Sequence, residues 1–196
     1  MFTKWATFLI LAMLFNSGIC SAQEKSPSKL ILRADQTVSG PVGHQKASSC
    51  LRVYSDGKVF YASWWNGPMT IVDQTGREYR PEHKVSVEHQ LEKGDVFELS
   101  TLFQSKAIKR LPEKFGPPHP PIDYAENTSV QITGPTGTPK QISTREFYVA
   151  SLEERTRYPA ALIVLMEKIE AIEKEASVKG KPTETPPDCQ LKAEDR

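Results

Sequence analysis

The chain has 196 residues and nearly balanced charge, with 25 Lys and Arg against 24 Asp and Glu. This balance excludes the concentrated basic footprint of a nucleic-acid-binding protein, and it argues equally against a polybasic membrane contact. The length remaining after the first 22 residues suffices for one hydrophobic core and not for two.

The first 22 residues predict a secretory signal peptide. Lys4 precedes an unbroken apolar run over residues 5–15, and small residues lead to a cleavage site after Ala22. A helix of that run would be roughly 16 Å long, about half of a bilayer core. We therefore expect a secreted or periplasmic protein with no membrane insertion after cleavage. Lipid attachment at Cys20 is the alternative, and Ile19 immediately before it does not fit that motif.

A hairpin is the strongest local pattern in the mature chain. A short strand at residues 30–32 and a loop through residue 49 precede it. Two β-rich runs, 50–54 and 58–62, flank Asp56-Gly57, and glycine accepts the positive φ of such a tight turn. Alternation places Leu51 and Val53 on one face and Arg52 and Tyr54 on the other, as in a half-buried antiparallel pair.

The remaining elements follow in order. Short strands are predicted at residues 69–72, 78–80 and 84–88, and a second hairpin at 129–133 and 140–147. A helix beginning near residue 92 and another opened by Pro159 each show an apolar stripe at helical spacing. The stripes comprise Val96, Leu99, Leu102 and Phe103 in the first helix and Leu162, Leu165, Met166, Ile169 and Ile172 in the second. Polar residues that include Glu170 and Glu173 are assigned to the solvated side of the last helix.

This order predicts a single α+β domain over residues 23–178. An antiparallel sheet built from hairpins, with both helices packed on one face, buries both stripes most simply. Residues 179–196 form a polar, Pro-rich tail, which we expect to be disordered unless a disulfide tethers it.

Cleavage of the signal peptide leaves two cysteines, Cys50 and Cys189. In an oxidising compartment an even pair favours a disulfide, which would close a loop of 139 residues. The alternative is two unpaired thiols. Neither cysteine has the CxxC spacing of a redox or zinc site.

Trp64 and Trp65 are the candidate binding residues. Adjacent tryptophans at the end of a strand would form an exposed stacking platform for a sugar or a peptide. The alternative is that one indole covers the end of the sheet while the other caps an edge of the core.

Catalytic patterns are sparse. Of the four histidines, His44, His83, His89 and His119, the middle two would lie roughly 20 Å apart along one strand, too far to share a metal ion. Neither a nucleophile elbow nor a zinc-protease helix occurs, so we predict no catalytic residues, no metal and no cofactor. The sequence Asn127-Thr128-Ser129 fits the N-glycosylation pattern, which matters only in a eukaryotic secretory pathway.

Three features together resemble an uncharacterised family of exported bacterial domains. They are the hairpin of residues 52–61, which carries a V-x-x-D-G-x-V pattern, the Leu/Phe-rich helix around Leu99, and the closing helix after Tyr158-Pro159. The resemblance covers residues 49–175. It implies a bacterial envelope or extracellular setting, and it brings neither a known activity nor catalytic residues.

Two classes of function remain after this reasoning. The first is an exported noncatalytic binding or interaction domain, whose partner is a protein, a peptide or a glycan outside the cytoplasm. The alternative is a small secreted hydrolase with an unidentified site. A cleft that holds a histidine and a carboxylate within hydrogen-bonding reach would favour the enzyme.

Overall fold

An eight-stranded sheet is the frame of the chain. The computed structural model describes residues 28–39, 46–66, 71–72, 78–79, 82–116, 125–134, 137–145, 147–148 and 152–189. The strands in this part are β1 (Leu30–Ser39), β2 (Ala47–Tyr54), β3 (Lys58–Asn66), β4 (Ile71–Val72), β5 (Glu78–Tyr79), β6 (Glu82–Gln90), β7 (Lys114–Phe115), β8 (Ala125–Thr133), β9 (Pro139–Arg145) and β10 (Lys181–Pro182). The helices are α1 (Lys93–Gln104), α2 (Lys106–Lys109), α3 (Leu152–Arg155) and α4 (Ala160–Lys179).

The strand order of the large sheet is β10-β6-β3-β2-β1-β8-β9-β7, and β4 pairs with β5 separately. Every pair of neighbours in the large sheet is antiparallel except β7 and β9, which run parallel. The predicted α+β fold with a sheet built from hairpins is therefore confirmed, and the two-residue strand β7 is its parallel exception.

The β2–β3 hairpin forms where the Asp-Gly signal placed it. Gly57 has a φ of +87°, which L side chains rarely adopt. A Cβ at this position would lie 2.6 Å from the Gln90 side-chain nitrogen and 3.0 Å from the Leu91 carbonyl oxygen. Glycine is therefore required both for the turn and for the close approach of the chain that follows β6.

The sheet has two faces of different character. One, called the helix face, carries Leu51 and Val53 and continues into a core in which those side chains are fully buried. The other, called the strap face, carries the alternate residues Cys50 and Arg52. The register of the neighbouring strands then assigns each of the remaining residues of the sheet to one of these two faces.

Both long helices pack on the helix face, as the two apolar stripes predict. Leu99 and Phe103 of α1 and five residues of the α4 stripe join the same core as the sheet residues. Lys168 of α4 also contacts Glu98 of α1 through a 2.7 Å ion pair. Burial of these stripes, at roughly 25 cal/mol per Å² of apolar surface, is what attaches the helices to the sheet.

The segment Lys181–Cys189, called the strap, crosses the opposite face. The strap follows α4, and its first two residues form strand β10, which pairs with strand β6. Next along the strap, the Thr183 amide donates to the Ser86 carbonyl at 3.0 Å. Its far end reaches β2, where Cys189 and Cys50 are bonded with Cα atoms 5.6 Å apart. The predicted Cys50–Cys189 pairing is therefore present, and it ties down the first half of the tail.

Two local expectations from the sequence were wrong. The first strand is not limited to residues 30–32, because β1 extends to Ser39 and pairs along its length with both β2 and β8. Arg52 is not on a solvated face, because the strap covers it and leaves it 0% exposed. Strand β2 is consequently buried on both faces at its centre.

No helix in the described ranges is long and apolar enough to span a lipid bilayer. The signal peptide of residues 1–22 and the cleavage site after Ala22 lie outside those ranges and stay predictions.

Candidate functional site

Trp64 and Trp65 are both partly buried, and they lie on opposite faces of the sheet. Trp64 pairs across the sheet with Ser48 and Trp65 pairs with Ala47, so alternation sends Trp65 to the helix face and Trp64 to the strap face. The two indoles therefore do not form one joint platform. A binding role for each of them separately stays a prediction.

Trp65 stacks on His83 of the neighbouring strand. Their ring centroids lie 5.1 Å apart with an interplanar angle of 14°. His83 itself is exposed, so this pair forms an aromatic surface at the end of the helix face. Stacking of this kind fixes the orientation of both rings and leaves polar ring edges for hydrogen bonds.

Beside this pair, the helix face changes from apolar to polar. The side chains that interact there, by a hydrogen bond or through their charges, are called the Glu173 cluster, and they are Ser49, Tyr61, Tyr148, Glu170 and Glu173. The Ser49 hydroxyl contacts both the Glu173 carboxyl and the Gln36 side-chain oxygen, the latter at 3.5 Å. Strands β2 and β3 and helix α4 all contribute, so only the tertiary fold assembles the group.

The electrostatics of the cluster favour protonated side chains. Burial, and secondly repulsion from Glu170, raise the pKa of Glu173 from 4.5 to about 7, although the hydrogen bond from Ser49 opposes the shift. Burial, followed by the negative charge of Glu173, raises the pKa values of both Tyr61 and Tyr148 above 10.0. Near neutral pH the cluster thus combines two neutral phenols with a carboxyl group that is close to its own pKa. The Tyr61 hydroxyl is hydrogen-bonded to Ser63, and the Tyr148 hydroxyl donates to the Met166 carbonyl at 3.3 Å.

Glu126 contacts the Glu173 cluster through the backbone of Tyr148. Its side chain is 1% exposed and accepts hydrogen bonds from the Thr128 hydroxyl at 3.0 Å and from the Tyr148 amide at 2.8 Å. Arg155 donates to the Tyr148 carbonyl at 2.7 Å and lies over the Phe147 ring. These contacts hold Tyr148 in place, which is the positioning that a preorganised binding site requires.

Among the described histidines, His89 contacts a carboxylate. The Nε2 atom of His89 lies 3.4 Å from the Glu175 carboxylate, while Glu175 also accepts a 2.9 Å hydrogen bond from Lys179. His44 and His119 lie outside the described ranges. Across those ranges, no group of three potential ligands among His, Cys, Asp and Glu is arranged to hold a metal ion.

Helical spacing in the sequence indicates that Glu173 lies near the buried side of its helix, although its charge led to the opposite prediction. Residue 173 lies seven positions after the fully buried Met166, and two turns of helix, which make one heptad, return a side chain to nearly the same direction. Glu173 is accordingly partly buried, and its assignment to the solvated face was wrong. Similarly, strand alternation places Ser49 on the same face as Leu51.

Comparison with known proteins finds no match to a family model, to a curated protein or to a solved structure. The resemblance of residues 49–175 to exported bacterial domains therefore stays a prediction.

Proposed function

We propose that this chain is an exported noncatalytic binding domain whose ligand site is the Glu173 cluster, with Trp65 at its edge. The ligand is a peptide or glycan group that carries hydrogen-bond donors, such as an amine or a hydroxyl. The observation that carries this proposal is the group of carboxyl, phenol and serine side chains on the face that otherwise forms the core.

A folded domain rarely keeps a costly carboxyl group at such a position for stability alone. Raising the pKa of Glu173 from 4.5 to about 7 costs the ionised folded state about 3 kcal/mol, at about 1.4 kcal/mol per pH unit. An apolar side chain at this point of the stripe would avoid that cost. Carboxyl groups with strongly shifted pKa values are found most often at functional sites.

The binding interpretation also fits the surroundings of the cluster. Glu170 and Glu173 supply acceptors, while the Tyr61 hydroxyl is hydrogen-bonded to Ser63. Ionised Glu173 would pair with a ligand ammonium group, and its neutral form would bond to a hydroxyl. The aromatic surface of Trp65 and His83 adds an apolar contact at one side.

A thermal-shift experiment with the disulfide-intact mature protein tests this site. We expect a lysine-containing dipeptide, whose side-chain ammonium stays charged, to raise the melting temperature at millimolar concentration, by an amount that grows from about pH 6 to about pH 8. Glu173→Gln should abolish the pH dependence, and Trp65→Ala should weaken the shift. Glu167→Gln, an exposed residue of the same helix, is the matched control. Equal shifts in the Glu173→Gln and Glu167→Gln variants would contradict the assignment of the site.

The hydrolase remains the second candidate because of the contact between His89 and Glu175. A carboxylate beside a histidine is the arrangement that orients a general base. In this structure the same carboxylate also binds Lys179, so the contact joins α4 to β6. Hydrolysis of a nitrophenyl ester or glycoside by the mature protein, lost in His89→Gln, would favour the enzyme over the binding domain.

A further inference from the structure

The strap face carries a second group of polar, charged and aromatic side chains, separate from the Glu173 cluster. Strand pairing aligns one residue from each of six neighbouring strands in a single line across the sheet. This line is called the Trp64 row, and it consists of Lys84, Trp64, Ser48, Thr37, Asn127 and Arg145. At about 4.8 Å between strands, its two ends lie about 24 Å apart.

The strap lies beside the row and leaves both ends of the row exposed, whereas Ser48 in its centre is buried. The strap contacts Ser86 of β6 and Cys50 of β2. Each of these residues lies two positions along its strand from a member of the row. Ala62 of β3, which lies between Ser86 and Cys50 in the sheet, is fully buried. The strap therefore covers the adjacent line of side chains. In contrast, Lys84 and Asn127 are exposed. The strap forms a wall along this line, and the row forms the floor.

A groove of about 570 Å³ lies at the end of the row away from Trp64. Thr37, Asn127 and Arg145 of the row line it, together with Lys114 of strand β7. Asp35 also reaches the groove, but its two carboxylate oxygens contact Arg33 at 2.6 Å and Arg52 at 2.8 Å. The carboxylate is thus neutralised, and the groove keeps a positive charge.

Three cations around the row have no carboxylate partner among the described residues, and they are Lys84, Lys114 and Arg145. A further polar atom, the Ser48 hydroxyl, is buried without a hydrogen-bond partner in the same part of the chain. Ser48 is only 8% exposed, and it lies between Trp64 and Thr37. A buried hydroxyl without a partner costs free energy unless a water or a ligand supplies one.

We infer that the Trp64 row binds an acidic glycan, a chain of sugar rings that carries uronic-acid carboxylates. Trp64 would stack on one sugar ring, the hydroxyl and amide side chains in the centre would bond to sugar hydroxyls, and the flanking cations would pair with carboxylates. Nucleic acid fits less well, since it requires phosphate contacts along its whole length. A protein partner would need the apolar anchors of an interface centre, and the row offers a single aromatic residue.

Isothermal titration of the mature protein with hexagalacturonate, and with neutral cellohexaose as comparison, tests this inference. We expect the acidic hexamer to bind, added salt to weaken it, and the neutral hexamer to bind at least about tenfold more weakly. Trp64→Ala should weaken binding about tenfold, and Trp64→Phe should restore most of it. Arg145→Gln and Lys114→Gln alter exposed side chains, so they test the charge contribution without a change in packing.

Controls on the opposite face separate this site from the proposed helix-face site. Trp65→Ala and Glu173→Gln should leave hexagalacturonate affinity unchanged, because both side chains lie on the other side of the sheet. Absence of hexagalacturonate binding would overturn the inference. Equal affinity for cellohexaose, or wild-type affinity in both Trp64→Ala and Arg145→Gln, would overturn it as well.

Discussion

The Glu173→Gln substitution should stabilise the protein at alkaline pH and leave it nearly unchanged in acid. Burial raises the pKa of Glu173 from 4.5 to about 7, so the folded state binds a proton more tightly than the unfolded state does. The stability from this group is therefore complete below about pH 4.5 and falls as the pH rises through about 7. Above that pH the loss is constant.

The size of the effect follows from the two pKa values. A difference from 4.5 to about 7, at about 1.4 kcal/mol per pH unit, gives a loss of about 3 kcal/mol. Glutamine is nearly isosteric and never ionises, and its amide can still hydrogen-bond to Ser49. We therefore expect the variant to exceed the wild type by up to about 3 kcal/mol at about pH 8, with little difference at about pH 4.

Urea unfolding of both proteins across this pH range, with the disulfide intact, measures the difference directly. Glu167→Gln on the exposed side of α4 is the matched control and should show no comparable trend. The physical argument is refuted if the free energy of unfolding differs by the same amount at both ends of the range. That result would mean that Glu173 ionises in the fold as it does in water.

Two further predictions concern the strap. Replacing Cys50 and Cys189 together by serine should lower the free energy of unfolding by on the order of 5 kcal/mol at most, because the disulfide closes a loop of 139 residues. Urea unfolding measures this loss, and an unchanged unfolding midpoint would contradict the prediction. Arg52→Ala should destabilise the oxidised protein by about 3–5 kcal/mol, since it removes a fully buried cation that contacts Asp35 at 2.8 Å and Asp188 at 2.9 Å. Substitution of the exposed Lys181 is the control for the second change, and a loss below about 1 kcal/mol in Arg52→Ala would show that the pair contributes little.

Local patterns predicted most of the secondary structure because each one has a short-range physical cause. The Asp56-Gly57 turn, the alternation of Leu51 and Val53, and the stripe of α4 depend on turn geometry and on periodicity within one element. The even number of cysteines that the expected signal cleavage leaves likewise predicted the Cys50–Cys189 pair.

Prediction failed where partners distant in sequence decide what a side chain contacts. Arg52 was expected in solvent because its own strand alternates, yet a segment 136 residues later buries it and bonds to it. The length of β1 escaped prediction for a similar reason. Its second half is rich in polar residues and becomes a strand by pairing on both edges with β2 and β8.

The candidate sites illustrate the same division. The sequence singled out Trp64 and Trp65 as adjacent aromatics, and the pleat of β3 separates them onto two faces with different neighbours. Trp65 joins His83 near the acidic Glu173 cluster, whereas Trp64 lies in a row that ends in cations. Local periodicity is encoded in consecutive residues, so the sequence alone determined the hairpins, the helices and the antiparallel sheet with helices packed on one face. Strand register and the path of the strap arise from long-range packing, so only the tertiary structure decided which polar side chains meet.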